Sequence, residues 1–225
     1  MLAKVIHITF NFLFPPACFG CKKRGTPLCE ECLGPLLAPP ARCFFCLDTR
    51  TDKNVCERCK THYELDGIFW TLTYHQPLVK KLIASFKYGK KQYLAERLGQ
   101  LLLRSLKKEM LDTTLVIPIP LHKKKERARG FNQAELLARA AGFHLENAIL
   151  WRTRETPPQA QVLRRSRRRE EVKGVLRVHD SKKVSGKNIL LVDDVATTGA
   201  TLSEAARTLK KAGAKKVYGL VLAHG

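Results

Sequence analysis

The sequence contains no apolar run of the roughly 18–20 residues that a membrane-spanning helix needs, so we expect no membrane span. It also has no cysteine before residue 18 or after residue 59, which confines any metal or disulfide framework to a short N-terminal part. Acidic residues are scarce: 20 Asp and Glu stand against 41 Lys and Arg, and the formal charge is +21. This excess predicts a polyanionic partner, either a phosphate-rich ligand or a nucleic acid.

The first 14 residues are apolar but do not have the pattern of a secretory signal. His7, Thr9 and Asn11 interrupt them, and no small-residue cleavage site precedes Pro15. We interpret this stretch as a short amphipathic segment that packs on its own protein. The predicted location is therefore cytoplasmic.

The eight cysteines form four pairs with the spacing Cys-x-x-Cys. The pairs are Cys18/Cys21, Cys29/Cys32, Cys43/Cys46 and Cys56/Cys59. Two thiolates at this spacing reach one tetrahedral ion from a single tight turn, and a second pair completes its shell. Sequential sharing joins the first two pairs and the last two, but a crossed arrangement has the same spacings. A disulfide scaffold is the alternative, and it needs an oxidising compartment.

We therefore predict two zinc ions, each held by four of these cysteines, in an N-terminal domain spanning residues 1–62. Four cysteine ligands leave no open coordination position, so the ions are expected to be structural and not catalytic. So short a segment buries little apolar surface, and metal binding supplies the stability it lacks.

Residues 63–225 alternate between strand and helix patterns, which is typical of a parallel α/β sheet flanked by helices. Strands are predicted over residues 67–74, 114–119, 149–151, 188–192 and 216–223. Helices are predicted from residue 77 to about 86, and over 93–106, 134–141 and 200–212. Residues 152–187 are polar and basic, and we expect a long mobile loop there.

The stretch ILLVDDVATTGAT, residues 189–201, carries the most informative motif. A buried apolar strand ends in two carboxylates, Asp193 and Asp194, and a turn of small and hydroxyl residues then leads into a helix. Backbone amides at such a helix start form a phosphate cradle, and Gly199 allows close approach. Carboxylates would repel a phosphate bound next to them. A sugar placed between the carboxylates and the phosphate explains the pattern, because its hydroxyl groups can donate hydrogen bonds to the carboxylates.

This stretch resembles the PRPP-binding motif of the type I phosphoribosyltransferases. The resemblance implies that Asp193 and Asp194 hold the ribose 2′ and 3′ hydroxyls as the catalytic pair, with Mg²⁺ accompanying the diphosphate. The turn that would grip the 5-phosphate comprises Val195, Ala196, Thr197, Thr198, Gly199, Ala200 and Thr201. A basic stretch after Pro120, which we expect to be a loop, corresponds to the diphosphate side, where Lys123, Arg127 and Arg129 would donate charge-assisted hydrogen bonds.

The whole chain resembles the ComF family. The resemblance rests on the cysteine-pair head, on VIPIPL at 116–121, on RGFNQA at 129–134, on Gln159-Ala160-Gln161 and on the aspartate motif. It implies a double zinc ribbon ahead of a phosphoribosyltransferase-like domain, and a role in DNA uptake during natural transformation with single-stranded DNA and other uptake proteins as partners. The family's flexible loop corresponds to Arg164, Arg165, Arg167, Arg168 and Arg169, which would close over a ligand or contact nucleic-acid phosphates.

Three functions remain open at this level. The chain binds a phosphoribosyl diphosphate while handling single-stranded DNA, or it transfers the pentosyl group to an unidentified base or amine, or it is a PRPP-responsive regulator. DNA bases would need exposed aromatic side chains to stack on. The candidates are Phe19, Phe44, Phe45, Tyr88 and Tyr93.

Overall fold

The computed structural model describes residues 15–37, 42–48, 51–89, 91–107, 110, 115–155 and 170–225. Among these, the larger part of the chain is built on a four-stranded sheet. The strands are β1 (Gly67–Thr73), β2 (Leu115–Pro118), β5 (Asn188–Ala196) and β6 (Lys216–His224). Their order is β1-β6-β5-β2, and all three pairings are parallel. The predicted parallel α/β sheet is confirmed.

β5, one of the two inner strands, is buried on both faces, as its continuous apolar sequence predicts. Ile189 and Leu191 pack into the core on one face of the sheet, and Leu190 and Val192 pack into the core on the other. All four side chains are fully buried. The two cores therefore share this strand, which holds its carboxyl end in a fixed position.

Helices cover both faces of the sheet. One face carries α3 (Pro77–Tyr88), α4 (Leu94–Leu103) and α6 (Gln133–Ala140), whose apolar side chains join the core around Leu190. The other face carries α7 (Ala200–Lys211), which packs through Leu202 and Leu209. Pro77 at the first position of α3 starts that helix without losing a hydrogen bond.

One prediction about the basic parts of the chain was wrong, and one strand in them was not predicted. Residues that follow Pro120 form a short helix, α5 (Lys123–Arg129), where we expected a loop; the ring of His122 accepts a hydrogen bond from the amide of Lys124 at its start. The polar stretch after residue 152 also contains a strand, β4 (Leu176–Val178), which pairs antiparallel with β3 (Leu150–Arg152). Leu150 and Leu176 are buried beneath this ribbon, and that local apolar anchor orders it.

The cysteine-rich segment contributes α1 (Glu30–Leu33), a 3-10 turn (Gly34–Leu36) and α2 (Glu57–Lys60). It covers the β1 edge of the sheet: Leu37 forms an isolated bridge with Leu72, and the Ile68 amide donates to the Lys53 carbonyl. The first two cysteine pairs lie on the α3/α4 face, and the last two lie on the α7 face. The boundary predicted at residue 62 falls between α2 and β1 and stays a prediction.

No helix within the described ranges is long and apolar enough to cross a membrane.

Candidate functional site

The two predicted acids lie near the carboxyl end of β5, inside the strand. We expected β5 to end at Val192. It continues to Ala196 because β6 extends to His224 and pairs with it, so both acids belong to the strand. Asp194 is buried, and Asp193 is half-buried. The Asp193 Oδ1 atom accepts a hydrogen bond of 2.8 Å from the backbone amide of Asp194, which holds that carboxyl group in one orientation.

A lysine that sequence reasoning did not single out completes this pair. Lys87, in the last turn of α3, places its Nζ 2.9 Å from Asp194 Oδ2, with the two side chains 19% and 8% exposed. Lys80 and Lys81 on the same helix are exposed, and the pattern of the helix contains no signal that separates Lys87 from them. Only the packing of α3 on the sheet brings Lys87 to the acids.

The electrostatics of this cluster favour a charged Lys87 and bring the pKa of Asp193 close to neutral pH. Burial lowers the pKa of Lys87, but the charge of Asp194, its hydrogen bond and the charge of Asp193 outweigh it, so the pKa is raised. Burial, followed by the negative charge of Asp194, raises the pKa of Asp193 to about 7, although Lys87 opposes the shift. Asp193 therefore titrates near neutral pH. A bound cation, or hydroxyl groups that donate to it, would lower its pKa and favour the carboxylate form.

Further cations surround the acids. Burial lowers the pKa of Arg152, and the charge of Asp193 opposes that shift, so Arg152 lies within the electrostatic reach of the site. Burial and then the charge of Arg152 lower the pKa of Lys125. A group of positive side chains thus gathers in partly buried surroundings, where an anionic ligand would relieve their mutual repulsion.

The predicted diphosphate residues divide between two faces of α5. Arg129 and Lys125, one helical turn apart, are partly buried, whereas Lys123 and Arg127 are exposed. Arg129 donates from Nη1 to Gln133 Oε1 at 2.7 Å and from Nη2 to the Tyr88 hydroxyl at 3.1 Å. A loop would have allowed all three predicted residues to reach one ligand. The helix places Lys123 and Arg127 on its exposed face and Arg129 on its partly buried face, together with Lys125, which we did not predict.

The predicted phosphate turn connects β5 to the 12-residue helix α7. Gly199 precedes the helix with φ 68° and ψ 7°, in the left-handed region that favours glycine. Thr198 and Thr201 are buried, and Thr197 is partly buried. The start of a long helix carries partial positive charge, so this turn has the position and polarity that an anion requires.

The cysteines form two compact clusters, and the structure selects sequential sharing over the crossed arrangement. Within each cluster all four Sγ atoms lie within 4.8 Å of one another. The clusters are Cys18, Cys21, Cys29 and Cys32 (cluster 1) and Cys43, Cys46, Cys56 and Cys59 (cluster 2). All eight are free thiols.

The sulfur geometry fits one tetrahedral ion in each cluster. The Sγ–Sγ distance is 3.8 Å for Cys18–Cys29, and it is also 3.8 Å for Cys46–Cys56. Zn–S bonds of about 2.3 Å give a tetrahedral edge of about 3.8 Å. A Cβ added to Gly20 would lie 2.8 Å from Cys32 Sγ, so the first turn needs a glycine for this approach.

The predicted arginine run, Arg164–Arg169, lies outside the described residues.

Comparisons with known proteins support this organisation. Residues 129–224 match the phosphoribosyl transferase domain family. The DNA utilization protein YhgH of Escherichia coli K12 is 31% identical over 84% of this chain and 93% of its own. Competence protein F of Haemophilus influenzae is 30% identical over 97% of this chain and 93% of its own. Competence protein ComFC of Bacillus subtilis is 39% identical over 44% of this chain and 39% of its own. The chain belongs to the ComF family, with a phosphoribosyltransferase-like domain behind two four-cysteine clusters.

Proposed function

We propose that this protein binds a phosphoribosyl diphosphate at the carboxyl end of β5. The observation that carries the proposal is the pair Asp193 and Asp194, half-buried and buried respectively, directly before a glycine turn and a long helix. The ribose hydroxyls would donate to the two carboxylates. The 5-phosphate would accept from the backbone amides of residues 195–201 and from the hydroxyls of Thr197, Thr198 and Thr201.

Lys87 has a defined part in this proposal. Its ammonium group lies 2.9 Å from Asp194 Oδ2 and would hold that carboxyl group in place to accept hydrogen bonds from the sugar. Arg129, Lys125 and Arg152 provide positive charge for the diphosphate, and Lys123 and Arg127 extend it into solvent. Carboxylates are ligands that Mg²⁺ accepts, and a bound Mg²⁺ would neutralise diphosphate charge.

This proposal predicts that affinity for PRPP with Mg²⁺ rises with pH. The pKa of Asp193 is raised to about 7, so binding hydroxyl donors below that pH must first remove a proton. We expect the dissociation constant measured by calorimetry to fall between about pH 6 and pH 8, and to change less in Asp193→Asn.

The unliganded protein should show the opposite slope in its stability. Because Asp193 binds its proton more tightly when folded, the unfolded state loses that proton first as pH rises from about 4. The free energy of unfolding should therefore fall between about pH 4 and pH 7 through this group, and Asp193→Asn should flatten that fall. An identical pH dependence in both proteins would contradict the assignment.

A second candidate function is pentosyl transfer, in which a base or amine nitrogen displaces diphosphate from C1 of the sugar. The cations around Asp193 favour it, because they would stabilise the charge that develops on the leaving diphosphate. The test is diphosphate release from PRPP and Mg²⁺ with a panel of nitrogen acceptors, single-stranded DNA included. Diphosphate release that requires an acceptor supports pentosyl transfer. PRPP binding without diphosphate release supports a protein that responds to PRPP and does not turn it over.

The DNA-related names of the relatives and the basic charge lead us to propose single-stranded DNA as a partner. Of the aromatic candidates, Phe44 and Phe45 are buried and cannot stack on bases. Tyr88 is 69% exposed, and the Arg129 guanidinium carbon lies 5.1 Å from its ring centroid. A planar cation on an exposed ring next to the Lys87–Asp194 pair is a suitable platform for a base.

Replacing Tyr88 by alanine is expected to weaken binding of a labelled oligonucleotide, measured by fluorescence anisotropy, by about 5- to 150-fold. Base–aromatic stacking contributes roughly 1–3 kcal/mol per base. Tyr88→Phe keeps the ring and should retain most of the affinity, while neither variant should alter the salt dependence, which phosphate contacts set. Equal affinity for wild type and Tyr88→Ala would remove Tyr88 from the interface.

A further inference from the structure

The two aromatic residues between the first two cysteines of cluster 2 are buried in the core. Phe44 and Phe45 lie between Cys43 and Cys46 and are 1% and 5% exposed. The Phe44 amide donates to the Asn54 carbonyl at 2.7 Å. The ring of Phe45 stacks on Tyr63 with centroids 3.5 Å apart and planes at 12°. The turn between these cysteines is thus tied to the protein on both sides.

Both rings press directly against the phosphate turn. A Cβ built on Gly199 would lie 2.6 Å from Phe45 Cε1 and 3.1 Å from Phe44 Cε1. Gly199 therefore must be glycine for two reasons, its left-handed φ and the absence of room for a side chain. The rings occupy the side of the turn where other residues would carry a side chain.

Phe44 also touches the strands that surround the turn. Its ring centroid lies 4.2 Å from that of His224, at the end of β6, and 5.3 Å from that of Trp70 in β1. His224 is the register partner of Ala196, the last residue of β5 before the turn. One aromatic side chain thus contacts both Gly199 and the strand that borders β5.

Cluster 1 makes its contacts elsewhere. A Cβ on Gly20 would lie 3.1 Å from Leu78 in α3, and Arg97 in α4 donates to the Leu28 carbonyl at 2.9 Å. The Lys91 ammonium lies 5.1 Å from the ring centroid of Phe19, the aromatic residue between Cys18 and Cys21. These contacts are on the α3/α4 face, across the sheet from α7.

We propose that Phe44 and Phe45 are positioning residues for the phosphate turn, and that cluster 2, unlike cluster 1, controls binding of the phosphoryl ligand. A metal ion at cluster 2 holds the Cys43–Cys46 turn, the two rings transmit that order to Gly199, and the amides of residues 197–200 stay directed for an anion. This inference rests on the proposed function, in which that turn binds the 5-phosphate. It assigns different tasks to two clusters with the same ligand set.

The test compares Phe45→Ala with Phe19→Ala, which removes an aromatic ring from the corresponding turn of cluster 1. Two quantities are measured: hydrogen exchange of the amides of residues 197–200, and affinity for PRPP with Mg²⁺ by calorimetry. Phe45→Ala should raise the exchange of these amides and weaken PRPP binding by tenfold or more. Phe19→Ala should change neither, and Phe45→Leu should recover part of both. Unchanged exchange in Phe45→Ala, or equal effects in the two alanine variants, would overturn the inference.

A second measurement keeps the inference testable if Phe45→Ala loses metal or folds poorly. Gly199→Ala adds the methyl group that meets the Phe45 ring, so Phe45→Leu combined with it should bind PRPP better than Gly199→Ala alone. Additive losses would mean that ring and turn are independent. If the wild type does not bind PRPP, the proposed function fails. The hydrogen exchange of the amides of residues 197–200 in Phe45→Ala still decides whether the two rings position the turn.

Discussion

Replacing Asp193 and Asp194 together by alanine will abolish the thermal stabilisation that PRPP with Mg²⁺ gives to the wild type. A ligand present at 100 times its dissociation constant stabilises the folded state by about 2.7 kcal/mol. For a chain of 225 residues, that corresponds to a rise in Tm of roughly 5–10 °C. Without either carboxylate the sugar has no acceptors, and the measured shift should fall to zero.

The control for this experiment must separate lost binding from lost stability. Removing Asp194 leaves Lys87 without its partner in surroundings where its side chain is only 19% exposed, so the variant's own Tm will fall. Asp193→Asn keeps the Lys87–Asp194 pair and isolates the contribution of one carboxylate. Asp52→Asn, at an exposed position, should keep the full ligand shift. A double variant that PRPP still stabilises would show that the ligand binds elsewhere.

Removing metal is expected to have the largest effect on the folded state. Elemental analysis should find about two zinc ions per chain, because each cluster supplies four thiols at distances that fit one tetrahedral ion. A structural zinc site contributes on the order of 10 kcal/mol at neutral pH. Chelation should therefore unfold the cysteine-rich segment and expose the β1 edge that it covers, which near-UV circular dichroism and thiol counting would detect.

Single-cluster variants refine this prediction. Cys21→Ser and Cys46→Ser should each retain one zinc ion, since the clusters share no ligand. If the inference about Phe45 holds, only Cys46→Ser should also lose PRPP binding. A purified chain without metal and with disulfide-linked cysteines would contradict the zinc assignment.

Most of the α/β architecture could be read from local sequence. Pro77 after a polar residue marks the start of α3, and the run Ile189–Val192 marks a strand buried on both faces, because these features depend on neighbours along the chain. Short, charged elements were missed. Residues 123–129 have a basic composition that suits a loop, yet they form α5, and β4 exists only because Leu176 meets the core.

The candidate site divides in the same way. The order Asp193, Asp194, turn, Gly199 is contiguous, so the strand, turn and helix that place the acids were predictable, and phosphate binding by the turn stays a prediction. Lys87 pairs with Asp194 and Arg152 lies within electrostatic reach of Asp193, both from elements remote in sequence, and nothing in their local patterns distinguishes them from surface cations. Arg129 was predicted on resemblance, whereas its contact with Tyr88 emerged from the packing of α5 near the end of α3.

By itself, the sequence determined the strand–turn–helix motif and the four Cys-x-x-Cys turns, because each is formed by residues a few positions apart whose geometry is local. Tertiary structure alone decided which pairs share an ion, which lysine neutralises Asp194, and that Phe45 meets Gly199. Those contacts join segments up to about 150 residues apart. Lys87 reaches Asp194 because α3 packs on the sheet, and Phe45 reaches Gly199 because the cysteine-rich segment folds over the edge of the sheet with one cluster on each face.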